Sequence, residues 1–489
     1  VHTPHLDQLA REGTRFNACI TPNVVCQPAR ASMLSGLLPL THGVHDNGIE
    51  LPESVADQGF AAVLSRAGYR TSFIGKAHFS TYHTHVPTSR PENVQGSALY
   101  PDDWHGPYMG FEHVELMLIG HNYWLPERRP RGMHYERWYH GDGLGDLKDA
   151  LYLHRGLPDR GAPQTHHSGL PTAWHNSTWV GDRTIERLRD HAANRRDGPF
   201  CLWASFPDPH HPFDAPEPWS RMHDPAAIRL PPHRVRDLDR RPWWHRAAVE
   251  SEPASPGEMG RVRREYSRMG PQGDDALREI IANYYGMISL IDHNVGRILG
   301  VLHELQLAED TLVVFTSDHG EWLGDHGLML KGPMFYEGLL RVGLLARGPG
   351  VAPGRVVGEP VSTLDLAATF TDLAGVASPA WHSRSLLPLM RADSPGRVQR
   401  DCAHSEWRLG PARCGVALDL HAVRTARAKL TIEKGTGAGE LYLLDQDPHE
   451  MDNRFDDPAC RGIRRELEEM IHSRPDDVLD PLPVPIGAA

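Results

Sequence analysis

The sequence predicts an α/β protein in which a parallel or mixed sheet is covered on both faces by helices, followed by a small antiparallel sheet with one helix. Three observations carry this. Short apolar runs alternate with longer segments of helical periodicity, the pattern of strand–helix units. Polar motifs fall directly after the apolar runs, where ligands bind in such sheets. Beyond residue 380 the character changes to alternating apolar and polar residues separated by glycine-rich turns.

Taken in order, residues 4–13 read as a short helix stopped by Gly13, and residues 53–68 as one longer helix with Val55, Phe60, Val63 and Leu64 at helical spacing. Residues 69–74 form a short strand. From 81 to 168 the periodicity dissolves into Pro, Gly, His, Trp and Tyr, which predicts long loops and insertions. Residues 176–194 are helical and 199–205 a buried strand, and 221–271 is irregular and charged. Ile280, Tyr284, Ile288, Ile291, Val295, Ile298 and Leu302 mark a sustained helix over 275–307, and 311–316 is again a buried strand. A helix over 363–374 precedes a domain boundary between 380 and 400. Past it, 422–432 reads as one half-exposed strand, 435–439 as a turn, 440–444 as a second strand and 457–473 as the closing helix. The domains are therefore residues 1–385, 386–475 and an extended Pro-rich tail, 476–489, a candidate arm for a homo-oligomer.

Composition narrows the function. The 489 residues exceed the size at which one core stops growing. With 51 basic against 63 acidic residues, the net charge of −12 argues against a nucleic-acid or anionic-membrane surface. No apolar run approaches a membrane span. Six scattered cysteines lack metal-finger spacing and disulfide-scaffold density, and a single sequon at Asn176 is expected by chance. A bacterial cytoplasmic location suits these features. Residues 1–7 carry no signal peptide and look like the middle of a domain, so a secreted or periplasmic location stays open.

The chemistry is concentrated in four motifs. Cys26-Gln27-Pro28-Ala29-Arg30 puts a cysteine four residues before an arginine; thiolate phosphatases separate the pair by five residues, here three intervene. Cys19 lacks such a flank and reads as structural. Gly75-Lys76-Ala77-His78 follows one strand, and Ser205-Phe206-Pro207-Asp208-Pro209-His210-His211-Pro212 follows another. Ser317-Asp318-His319-Gly320-Glu321 follows a third, with Lys331 further on. Adjacent Asp and His at a strand end suit a divalent cation, although alone such a pair is usually a loop or helix cap.

In this order the motifs resemble the type I, formylglycine-dependent sulfatases of the alkaline phosphatase superfamily, and the resemblance runs to Glu440-Leu441-Tyr442 and Asp447-Pro448 near the C-terminus. Asp318-His319 is similar to the branch with phosphonate monoester hydrolases and choline- and iduronate-sulfatase-like enzymes. The resemblance implies an alkaline-phosphatase-like sandwich with a large mixed sheet between helices, oxidation of Cys26 to formylglycine by a formylglycine-generating enzyme, and one divalent ion (Ca²⁺ first, Mn²⁺ or Mg²⁺ otherwise) on Asp318, His319 and residue 26. It also implies a strand ending in paired metal-binding aspartates ahead of Val1.

By the same resemblance Arg30, Lys76 and Lys331 neutralise the ester oxygens, His210 with Lys331 protonates the leaving group, and His78 is the base, or its orienting partner, for release. His210, directly after Pro209, matches the family pattern; His211 reads as structural. The implied reaction is hydrolysis of sulfate esters. Phosphonate monoester or phosphodiester hydrolysis is the alternative, and a noncatalytic binding protein is the remote one. Tyr82, His83, Trp104, Tyr108, Tyr123, Trp124, Trp138 and Trp174 in the insertion either face a leaving group or pack on the domain surface or a second subunit.

Overall fold

A computed structural model describes residues 1–118, 125–159, 161–195, 198–255, 257–379, 381–391 and 400–487. In chain order the strands are β1 (Thr14–Ile20), β2 (Arg70–Lys76), β3 (His113–Met117), β4 (Thr165–Ser168) and β5 (Phe200–Ser205). Then come β6 (Phe213–Pro216), β7 (Val313–Thr316), β8 (Arg341–Arg347), β9 (Arg355–Val357) and β10 (Val361–Ser362). The last four are β11 (Ala403–Leu409), β12 (Leu418–Arg424), β13 (Ala428–Glu433) and β14 (Gly439–Leu443).

The main layer is mixed. Its larger part runs β10-β1-β8-β7 with β9 also on β1, β8 lying antiparallel to both β1 and β7. Its smaller part is the parallel trio β3-β2-β5. The helix Asp274–Glu304 packs against the helices Pro4–Glu12 and Asn176–Ala193, and Asp365–Leu373 packs against Phe60–Arg66. The α/β architecture with a mixed sheet and a small antiparallel sheet is therefore present. At Gly75 (φ 109°) a Cβ would meet the Ser205 carbonyl oxygen at 2.0 Å, so only glycine lets β2 and β5 close just before Lys76.

The antiparallel sheet β11-β12-β13-β14 is sandwiched. Val423, Leu430 and Leu441 pack beneath the helix Arg461–His472 with Leu467 and Ile471, whereas Trp407, Leu420 and Tyr442 on the other face join Ile20, Val24 and Leu339 of the main body. The two-residue period of the strands makes this two-sided burial possible.

Four local readings are corrected. Residues 53–68 form two helices, Glu53–Ala56 and Phe60–Arg66, because Gly59 is extended (φ −69°, ψ 163°) between them. Residues 422–432 are not one strand: a turn held by the Thr425 N–H on the Ala428 carbonyl folds them into the β12–β13 hairpin. The stretch 81–168 contributes β3 to the sheet, β4, and the helices His134–Gly141 and Gly145–Leu153, and 221–271 contains the helices Trp243–Glu250 and Gly257–Glu265. The tail is extended, yet it lies on its own chain: the Leu479 N–H donates to the Leu40 carbonyl, the Ile486 N–H to Gly48, and the His85 N–H to Ile486. Among the described residues no helix is long and apolar enough to cross a membrane.

Candidate active site

The helix Cys26–Ser35 is wholly buried and opens on the cysteine. Pro28 sits in its first turn, where a missing N–H costs nothing, and Gly36 ends it in a left-handed conformation (φ 69°). The Asn23 Oδ1 accepts the Val25 N–H and the Asn47 Oδ1 accepts the Gln27 N–H, fixing the entry. Cys26 and Arg30, one helical turn apart, share a face. That is the physical content of the spacing.

Three strand ends converge on this turn. The Lys76 Nζ, at the end of β2, lies 3.8 Å from the Cys26 Sγ, and the His78 ring, just beyond it, is near enough to interact with the same sulfur. After β7, the His319 Nε2 is 3.2 Å from Sγ, and the Lys331 Nζ is 3.1 Å from Sγ and 3.0 Å from that Nε2. Past β5, His210 and His211 stack with ring centres 4.1 Å apart, both lining the cavity that Cys26 borders. The His210 Nδ1 donates to the His211 carbonyl at 2.5 Å, so Nε2 is its exchanging nitrogen.

Arg30 departs from the reading made on sequence. Its Nε donates to the Asp318 Oδ2 at 2.8 Å, and its Nη1 to the Lys76 carbonyl at 2.7 Å and the Ser205 Oγ at 2.9 Å. The guanidinium thus ties together the ends of β2, β5 and β7, and the ammonium groups beside Sγ are those of Lys76 and Lys331. Ser205, which the sequence did not single out, also donates to the Lys76 carbonyl at 2.6 Å; its only sequence signal is its place at the end of a buried strand.

The electrostatics follow from burial and charge. Burial works to raise the Cys26 thiol, but Lys331, Lys76 and His319 outweigh it and hold the thiol well below its ordinary range. Burial pushes Cys201 up to about 12 and Cys402 up to about 11. In unmodified protein at neutral pH, iodoacetamide is therefore expected to label Cys26 ahead of both. Peptide mapping that finds Cys201 or Cys402 labelled first contradicts the charge arrangement.

Cys26 Sγ, Asp318 and His319 place their donor atoms within 4.8 Å of one another. The sulfur marks where the oxygens of a formylglycine at 26 stand. The His319 Nδ1 donates to the Gly320 carbonyl at 2.8 Å, which leaves the Nε2 lone pair facing the cluster. Burial acts to raise Asp318, yet His319 and Arg30 bring it down to about 2, so it presents a carboxylate. An ionised carboxylate, an imidazole lone pair and residue 26 together fit a divalent ion.

The cavity is about 870 Å³. Cys26, Lys76, His210, Asp318, His319 and Lys331 form its polar end; β5 and β7 border its apolar part. β5 pairs with β2 and β7 with β8, and among the described residues neither has a partner on its other edge, which leaves Phe200–Ala204 and Val313–Phe315 half-buried. Among the described residues, the insertion aromatics do not line it. Tyr82, Trp104 and Tyr108 belong to a core cluster with Phe73 and Phe111, and Trp138 and Trp174 flank the buried Lys148 ammonium at 5.0 Å each. Tyr123 and Trp124 lie outside the described residues.

Comparison with known proteins agrees with this geometry. The sulfatase family model matches residues 1–376, and the model for the C-terminal part of N-sulphoglucosamine sulphohydrolase matches 324–476. A choline-sulfatase of Rhizobium meliloti is 28% identical over 94% of this chain and 78% of its own. The multifunctional alkaline phosphatase superfamily protein PehA of Trinickia caryophylli is 29% identical over 96% and 88%. In fold, the phosphonate monoester hydrolase of Silicibacter pomeroyi superposes with a TM-score of 0.76 at 24% identity, covering 99% of this chain and 92% of that one. The family match spans the Cys26, Lys76, His210 and Asp318 motifs that the fold gathers around one sulfur atom, and the chain belongs to the sulfatase family.

Proposed function

We propose that this protein hydrolyses sulfate esters, with residue 26 converted to formylglycine and a divalent ion held by Asp318, His319 and residue 26. The observation that carries this is the convergence of Lys76, His319 and Lys331 on one buried Sγ at the start of a helix. As a hydrated aldehyde, formylglycine supplies one hydroxyl to displace the leaving group and a second to release the sulfate, and the ion adds positive charge at the ester oxygens.

The remaining work falls to side chains of this chain. Lys76 and Lys331 bracket the ester and neutralise its nonbridging oxygens as charge moves toward the leaving oxygen. Burial, His211 and the two lysines hold His210 well below the usual histidine range, so it rests as a neutral ring. An ester anion between the lysines offsets their charge and favours the imidazolium, which then gives its Nε2 proton to the leaving oxygen. His78 takes the proton in the release step.

The open edges of β5 and β7 support one further element of this reading. The strand with paired aspartates that the family resemblance implies would satisfy both edges and carry its carboxylates to the Cys26 end of the cavity.

Burial, with Lys76 and Arg30, lowers His78 to about 4 against the raising effect of Cys26. Its base form therefore persists as pH falls through the usual imidazole range, and the His78 ring, followed by NMR, is expected to titrate near pH 4. A His78 ring that titrates at about 6.5 contradicts this account of its environment.

The functional test compares kcat/KM for an aryl sulfate and an aryl phosphonate monoester, using protein coexpressed with a formylglycine-generating enzyme and supplied with metal. Sulfate turnover far above a Cys26→Ala control supports the proposal. Phosphonate ahead by orders of magnitude makes the protein a phosphonate monoester hydrolase, and neither above the control overturns an enzymatic role on these esters.

A further inference from the structure

We propose that Glu92 is a positioning residue whose buried carboxylate holds the backbone of His78 in the conformation that aims its imidazole at residue 26. This rests on the reading of His78 as the release base. His78 has φ 55°, the left-handed region that a residue with a Cβ rarely occupies, and it follows Gly75 and Lys76 at the point where β2 leaves the sheet. Such a conformation persists only where its surroundings impose it.

What imposes it here is one carboxylate. Glu92 is 3% exposed. Its Oε2 accepts the His78 N–H in a short bond, its Oε1 accepts the Phe79 N–H at 3.1 Å and the Tyr108 hydroxyl at 2.7 Å, and the Ser80 N–H also points at it. Burial raises this carboxyl to about 7 against the lowering effect of its donors, so the nest of N–H groups is complete above neutral pH; consecutive backbone N–H groups around one carboxylate fix the φ/ψ values of the residues that make them. Glu50, through the Ser80 and Thr88 hydroxyls at 2.9 and 2.7 Å, and Asn93, through the Thr81 and Tyr82 carbonyls, hold the following residues. The turn after Lys76 is thus shaped by side chains from 50 and 92–93, and Glu92 alone engages the His78 amide.

Glu92→Gln is the discriminating variant. Both carboxylate oxygens accept a backbone N–H, so either orientation of the amide sets an NH₂ against a donor. Shape is kept and the nest is broken. Formylglycine-bearing Glu92→Gln is expected to lose on the order of tenfold to a hundredfold in kcat, with KM within about threefold, because a misplaced base forfeits part of a contribution worth 10²–10⁴. Tyr108→Phe, which removes one donor and leaves the nest, should stay within about threefold.

Two readouts separate positioning from a general loss of structure. In the His78→Ala background Glu92→Gln should have almost no further effect on kcat, since the residue it acts through is gone. In unmodified protein, hydrogen exchange should accelerate at the amides of 78–80 in Glu92→Gln, with the protection of β2 and of the helix Cys26–Ser35 retained.

Additive losses in the double variant, or exchange and kcat both at wild-type values in Glu92→Gln, overturn the proposal. His78→Ala turning over at the wild-type rate overturns instead the reading of His78 on which it rests, and the exchange measurement then still reports whether Glu92 holds the turn.

Discussion

Cys26→Ala is expected to abolish turnover, lowering kcat on an aryl sulfate by about 10⁴-fold or more, the scale at which loss of a nucleophile appears in other covalent catalysts. The variant should fold. The site is a first-turn helix position, 2% exposed, and alanine forms helices better than cysteine. Two ammonium groups, from Lys76 and Lys331, face that position and should still bind the ester, so KM or an inhibitor constant should change far less than kcat.

Cys26→Ser sharpens the test. Serine offers one hydroxyl beside the same lysines and can accept the sulfuryl group, but it has no second hydroxyl on the same carbon to expel it. A single turnover followed by a stable sulfated protein, read by intact mass, is the expected result. Rapid steady-state turnover by Cys26→Ser would sink the geminal-diol mechanism, whereas undiminished activity of Cys26→Ala would sink residue 26 as the nucleophile.

Arg30→Ala is expected to be the most damaging change at the site that touches no reacting atom. The Arg30–Asp318 pair is 8% and 18% exposed at its side chains, and removing one member of a buried pair costs about 3–5 kcal/mol because the other charge stays behind. Asp318 shows the linkage. Its carboxyl is held at about 2, below the ordinary 3.8, by His319 and Arg30 acting against burial. In the metal-free protein a depressed acid contributes stability that is present above about pH 4 and lost as pH falls toward 2, here on the order of 2 kcal/mol.

Without the guanidinium, the Lys76 carbonyl loses one of its two side-chain donors and the Ser205 hydroxyl loses its donor. Misplacement of Lys76 and Asp318 together is expected to cost about 100-fold in kcat/KM. Arg30→Lys should rescue little, since one ammonium cannot reach Asp318, the Lys76 carbonyl and Ser205 at once. A denaturation midpoint and kcat/KM both near wild type in Arg30→Ala would refute this account of the residue.

Much of the fold was legible because burial leaves periodic marks. Residues 313–316 and 200–205 are short apolar runs after long amphipathic segments, and the structure makes β7 and β5 of them. The misreadings have equally local causes. β3 lies in a stretch rich in His and Gly, and it is recruited to the sheet by pairing with β2 rather than by its own pattern. The hairpin at 425–427 was invisible because the alternation of 422–432 continues through it, although the Thr425 backbone and hydroxyl both bond the Ala428 carbonyl. Aromatic residues in the insertion suggested either substrate contact or packing, and only their positions decide it: Tyr82 and Tyr108 are core.

By itself the sequence determined the chemistry: a cysteine and an arginine one helical turn apart, a lysine and histidine after a second strand, an Asp-His pair after a third. Each is a local pattern whose meaning does not depend on its neighbours in space. The tertiary structure decided how the labour is divided. It turned Arg30 inward as the tie between three strand ends, left Lys76 and Lys331 beside residue 26, and brought Glu92 back over fourteen residues to hold His78. Sequence records which groups are available, but a charge's partner is set by distance in the folded chain, and the sheet that brings β2, β5 and β7 to a common end fixes those distances.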